Sequence, residues 1–348
     1  MEYGIFALMS RGDLSRPAAR ILDDGIEQIV AAEALGFQSV WLAEHHFSSY
    51  SVIPNPLQLA IKLSERTSRI TLGTAVLVPP FYHGLRLAED VVMADVLTGG
   101  RLRVGVGRGY QRYEFERYGL SVDDSRAMFE ENMEILRLAL TQETFSFKGR
   151  YFQIPETALQ IRPLQQPHPE IWVAVSTPET IAWAVERDYA LITSASARPT
   201  DHIRRVRRDY DEQLRAAGRP LDGARLAIQR YAYVTDDRQD ALEATQHVLW
   251  TYRVAENYRA GSGPANNGIA NSSPVAQEPT PEELVDRLVF GDPETCIRKL
   301  QRDVDDCRPT HLSLVTCFGG FQHERALRSL RRLAEEVLPY IKEPVGVS

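Results

Sequence analysis

A chain of 348 residues with 43% hydrophobic and 25% charged residues can bury a sizeable core, and a formal net charge of −7 leaves a nucleic-acid role without electrostatic support. The three cysteines, Cys296, Cys307 and Cys317, form neither a C-x-x-C pair nor a zinc spacing, and their odd number points to a reducing compartment. With Glu2 in place of a basic N-terminal stretch and no run of roughly 18 apolar residues, neither a signal peptide nor a membrane span is expected, and the cytoplasm is the expected location. The basic cluster Arg204, Arg205, Arg207 and Arg208 is interleaved with Asp201, Asp209, Asp211 and Glu212 and reads as a solvated helix face.

In chain order, short apolar runs alternate with amphipathic stretches. Strands are expected at 3–9, 39–43, 70–78, 102–106, 171–175, 190–193, 226–234 and 312–316. Helices are expected at 21–35, 57–68, 85–97, 124–142, 178–186, 200–217, 239–258, 293–305 and 322–340. Gly36 closes the first helix, because glycine tolerates a left-handed cap. Eight strand-like runs alternating with helices imply a parallel sheet, and eight repeats suit an α/β fold of the (β/α)8 TIM-barrel type: one domain over 1–348, with insertions. One insertion, 145–169, holds a small hairpin around Phe147–Phe152 before the fifth strand. A second, 260–281, is rich in Gly, Pro, Asn and Ser and follows the seventh strand on the side where barrel active sites form, which predicts a mobile lid.

Three strand-end motifs could carry chemistry. Glu44-His45-His46 follows the second strand; an imidazole suits proton transfer near neutrality, and adjacent side chains diverge too much to share a metal, so no metal site is expected. Gly105-Val-Gly-Arg-Gly109 follows the fourth strand and places Arg108, whose planar fork suits an oxyanion, among glycines. After the fifth strand, Ser176 and Thr177 precede Pro178 at a helix start, where free N–H groups make an anion site. Each motif also has an ordinary reading, as mouth hydrogen bonds, a charged turn or plain helix capping. Tyr110 and Tyr113 could stack on a cofactor, although packing is their usual fate.

In sequence order, Ala43-Glu44-His45-His46-Phe47, Asn55-Pro56, Gly73-Thr74-Ala75-Val76, Ala88-Glu89-Asp90, Gly100-Arg101, Arg108-Gly109, Phe115 with Tyr118-Gly119, Ala174 with Ser176, and Gly291-Asp292-Pro293-Glu294-Thr295-Cys296 resemble the bacterial-luciferase-like flavin-dependent monooxygenases over nearly the whole chain. The likeness is greater to the catalytic luciferase subunit and its single-chain relatives than to the non-catalytic subunit. It implies reduced FMN (FMNH2) as cosubstrate, and dioxygen adding at flavin C4a to give a peroxide that oxygenates a small organic substrate. It further implies a separate NAD(P)H-flavin reductase and a homodimer built through the early barrel helices. By the same resemblance His45 is the base or peroxide-stabilising residue with His46 and Glu44 in support. Ala75-Val76 is a non-proline cis peptide under the isoalloxazine, Arg108, Gly109, Val175, Ser176 and Thr177 hold the cofactor, and the Gly-rich segment is the lid. The chain departs from luciferase at Gly107 (a cysteine there), Ala195 (a tryptophan) and Val175 (an acidic residue), changes that suggest space for a bulkier, cyclic substrate. Two alternatives share the fold: an F420-dependent oxidoreductase and a non-catalytic flavin-binding subunit.

Overall fold

The computed structural model describes residues 1–343. Eight parallel strands close on themselves: β1 (Glu2–Ala7), β2 (Ser39–Leu42), β3 (Thr71–Thr74), β4 (Leu102–Val106), then past the hairpin β5 (Phe145–Lys148) and β6 (Gln153–Thr157), β7 (Ile171–Ala174), β8 (Ala190–Ser194), β9 (Leu226–Val234) and, after the short β10 (Val289–Gly291), β11 (His311–Val315). Pairing runs β11-β1-β2-β3-β4-β7-β8, and β9 bonds both β8 and β11, so the ring has no free edge. The strands are buried on both sides, which is why they read as short continuous runs such as Ser39-Val-Trp-Leu42 and not as alternating ones. β10 extends the sheet beside the far end of β9; three residues carry too little pattern to be seen in sequence.

The helices are α1 (Ala18–Ala34), α2 (Pro56–Ser64), α3 (Gly84–Leu97), α4 (Arg112–Arg117), α5 (Ser125–Thr141), α6 (Pro178–Glu186), α7 (Asp201–Ala216), α8 (Arg238–Arg259), α9 (Pro281–Arg287), α10 (Pro293–Cys307) and α11 (His323–Arg332). Side-chain caps fix several starts: Asn55 Oδ1 accepts from Gln58 N at 3.0 Å, Asp292 Oδ1 from Thr295 N at 2.7 Å, and Thr280 with Glu283 forms a capping box. Two expected helices end early. The helix expected to reach residue 68 stops at Ser64, where Arg101 collects the carbonyls of Ser64, Thr67 and Ile70. The helix expected over 322–340 gives way after Arg332 to a wide turn, Leu333–Val337, and a tight one, Leu338–Tyr340, around Pro339, which has no N–H for a regular ladder.

α8 departs most from a regular barrel. It is not the helix that returns from β9 to β11; α10 makes that connection. α8 instead passes over the C-terminal end of the barrel: His247 Nδ1 meets Gly319 O after β11 at 2.9 Å, Glu256 meets Arg198 after β8, and Tyr258 Oη lies 2.5 Å from Ser48 Oγ after β2. The segment between α8 and α9 contains no helix or strand and continues this roof. At the opposite end Glu2, Arg103 and His311 form a closed ionic cluster, with Arg103 also reaching Glu170. No helix among the described residues is long and apolar enough to cross a membrane.

Candidate active site

The C-terminal ends of β2, β3, β4 and β7 deliver the expected residues to one mouth. Register aligns them: Leu42 pairs with Thr74, so Glu44–His46 and Ala75–Val76 leave adjacent strands at the same level; Val106 pairs with Val173, so Arg108 and Ser176 do likewise. The Ala75–Val76 peptide is cis, as the resemblance implied. Ala75 stands on the edge-to-face pair Trp41–Trp172, 5.3 Å between centroids, and Gly73 leaves the room that the Trp41 indole occupies. Beside the cis bond, a Cβ on Gly107 would come within 2.7 Å of Val76 Cγ2 and 3.6 Å of Ala174 Cβ, and Ala174 is itself exposed at the strand end. Gly107 is thus buried against the Val76 side chain, while Ala75 and Val76 themselves stay partly open at the mouth. Ala195, the second of the expected small positions, is likewise buried.

The two histidines have separate surroundings. His46 is buried, with Nε2 2.9 Å from Glu44 Oε1 and Nδ1 3.0 Å from Tyr118 Oη, so both ring nitrogens have a partner. Glu44 also accepts from Val78 N at 3.1 Å; burial raises its pKa against the pull of His46. His45 remains partly open. Its Nδ1 lies 3.2 Å from Gln111 Nε2 and 3.4 Å from Glu114 Oε1, and its ring meets Tyr50 edge-on at 4.8 Å. The side-chain partners of His45 are Glu114 and Gln111, and His46 reaches it through its backbone N–H, which donates to the same Glu114 Oε1. Glu114 is held by His46 N at 2.8 Å and Tyr113 Oη at 3.4 Å, so Tyr113 is an internal packing residue, whereas Tyr110 keeps over a third of its surface open.

Arg108, Ser176 and Thr177 are exposed at the rim, Gly109 turns with φ +78° against Val78 and Phe115, and Thr177 Oγ1 accepts from Thr180 N at 3.4 Å to start α6. Arg126 donates to Thr180 Oγ1 at 3.3 Å, placing a second guanidinium beside the same helix start. Val175 is a correction: its side chain is buried and its N–H donates to Ile192 O at 2.9 Å, so neither faces an anion at the rim. The Gly-rich segment is latched to the β2 loop by Ser49 N to Gly268 O at 2.7 Å and Ala270 N to Ser49 Oγ at 3.0 Å.

Relatives of this chain have monooxygenase names. It is 26% identical over 353 residues to the oxygenase component of a flavin-dependent trigonelline monooxygenase from Acinetobacter baylyi, covering 99% of this chain and 96% of that protein. It is 24% identical over 329 residues to an alkanal monooxygenase alpha chain of Photorhabdus luminescens, covering 90% and 89%. The crystal structure of the monooxygenase RslO1 from Streptomyces bottropensis superposes with a TM-score of 0.86 at 25% identity, covering 98% of this chain and all of that one. An F420-dependent secondary alcohol dehydrogenase shares the fold, with a TM-score of 0.77 at 19% identity. The model of the luciferase-like monooxygenase family matches residues 1–308, so this chain, barrel and mouth together, belongs to the luciferase-like monooxygenases and is an enzyme of that family.

Proposed function

We propose that the chain is the oxygenase component of a two-component system that uses reduced FMN and dioxygen to place one oxygen atom in a small organic substrate. The observation that carries this reading is one strand-end mouth in which the partly open cis Ala75–Val76 peptide follows β3, with the partly open His45 after β2 on one side and the exposed Arg108 and Ser176 after β4 and β7 on the other. A planar ring would lie against the partly open Ala75–Val76 peptide. Its phosphate would meet Arg108, the Ser176 and Thr177 hydroxyls and the N-terminus of α6, with Arg126 adding charge behind. Reduced FMN, when bound, supplies the electrons that activate dioxygen.

The protein's own groups do the rest. Glu114 Oε1 and Gln111 Nε2 both meet His45 Nδ1 and hold the ring, which leaves Nε2 to take or give a proton at the mouth. α8 and the latched segment above the mouth limit water access. No dinucleotide fingerprint opens the first βα unit, so the reductant arrives through a separate NAD(P)H-flavin reductase. Met93, Val96 and Leu97 form an exposed apolar patch on α3, which supports a homodimer through the early barrel helices.

Fluorescence titration with FMN, riboflavin and F420 tests the reading. FMN is expected to bind about 10- to 100-fold tighter than riboflavin, because only FMN offers a phosphate to Arg108. Arg108→Ala is expected to erase most of that margin. Tight F420 binding without FMN binding would overturn the assignment.

A further inference from the structure

His45 stands at one end of a continuous polar edge. Gln111 Nε2 lies 3.2 Å from its Nδ1 and donates to Tyr110 Oη at 3.0 Å. The guanidinium of Arg259, the last residue of α8, covers the Tyr110 ring at 5.0 Å. Arg259 and Arg198 both donate to the same oxygen, Glu256 Oε1, at 2.6 Å each. Two cations thus share one carboxylate, and one positive charge is left over beneath the roof of the mouth. No other carboxylate pairs with either arginine among the described residues. The same field reaches His202, whose pKa is lowered by burial and then by Arg205, Arg198 and Arg259. Tyr50 and Tyr231 stand beside Tyr110; burial raises the pKa of both phenols, so they remain neutral donors.

We propose that Arg259 and Arg198 form a subsite for a carboxylate head group of the organic substrate, which lies along the Tyr110–Gln111 edge with its reacting portion toward His45. The proposal rests on the monooxygenase reading above and adds to it a substrate class, an organic acid. The phenol ring of Tyr110 offers a face for an apolar or aromatic body, and the surplus guanidinium charge meets the acid. Both arginines are partly open to solvent, with side chains 39% and 46% exposed, so screening keeps the selectivity moderate, on the order of tenfold.

The test uses FMN-loaded full-length protein and isothermal titration with matched pairs: benzoate and benzamide, phenylacetate and phenylacetamide, nicotinate and nicotinamide. At least one acid is expected to bind about tenfold tighter than its amide. That ratio is expected to fall with added salt, to collapse toward one in Arg198→Met/Arg259→Met, and to survive in Arg259→Lys, which keeps the charge. A panel in which no acid outbinds its amide, or a double variant that keeps the full ratio, overturns the subsite while leaving the flavin reading intact. A protein that takes up no FMN in the preceding titration refutes the flavin reading and the subsite together.

Discussion

His45 and His46 are neighbours in sequence whose rings meet different partners. His46 is closed off between Glu44 and Tyr118, whereas His45 turns its Nδ1 to Glu114 and Gln111 and keeps an opening to the mouth. If Glu114 positions the His45 ring through Nδ1, Glu114→Gln should lower turnover at least tenfold while FMN affinity stays unchanged. Nitrogen-15 shifts of His45 should change in the same variant; unchanged shifts with lost turnover would mean that Glu114 supports only the fold. The candidate motif Glu44-His45-His46 was legible because it sits at a strand end. Glu114 and Gln111 were not, because they lie on or before a six-residue helix, far along the chain from His45, and nothing in their local pattern marks a partner there. Val175 shows the opposite case: the resemblance marked its position, but strand alternation turns its side chain into the core.

At the scale of elements, the roof of the mouth is the part that sequence periodicity could not place. α8 shows helical spacing like any barrel helix, yet Trp250 stacks near Tyr50, Tyr258 reaches Ser48, and His247 reaches the Gly319 turn. These contacts, and not the pattern, set it across the strand ends. The Gly-rich segment was legible as an insertion from composition alone, and its latch to Ser49 indicates what it covers. Replacing residues 264–270 with a short Gly-Gly link should let water reach the mouth. Hydrogen peroxide released per dioxygen consumed is then expected to rise severalfold, with FMN affinity within about threefold of the parent. Unchanged coupling would remove the segment from the account.

For the whole molecule, eight alternations of strand and helix made the barrel legible, since only closure satisfies eight parallel strands that are buried on both sides and have no free edge. The ionic plug at the far end was not legible, because Glu2, Arg103 and His311 meet only once the ring closes. Burial opposes ionisation of Glu2, but hydrogen bonds from His311 and Arg103 outweigh it and hold its pKa below the usual carboxylate range. A depressed carboxylate pKa stabilises the fold above the unfolded value, near 4.3, and that contribution is lost as pH falls below it toward the folded value. Glu2→Gln should therefore melt a few degrees below the parent at pH 7, and the gap should narrow as pH drops below about 4. A gap independent of pH would contradict the plug. The central claim concerns the other end of the barrel, and mass spectrometry of products formed with reduced FMN, 18O2 and a panel of organic acids tests it most directly. The account predicts one 18O atom per product molecule from the parent protein, and none from His45→Ala protein that still binds FMN. Oxygenated product from His45→Ala at the parental rate, or reduced substrate without 18O, would contradict it.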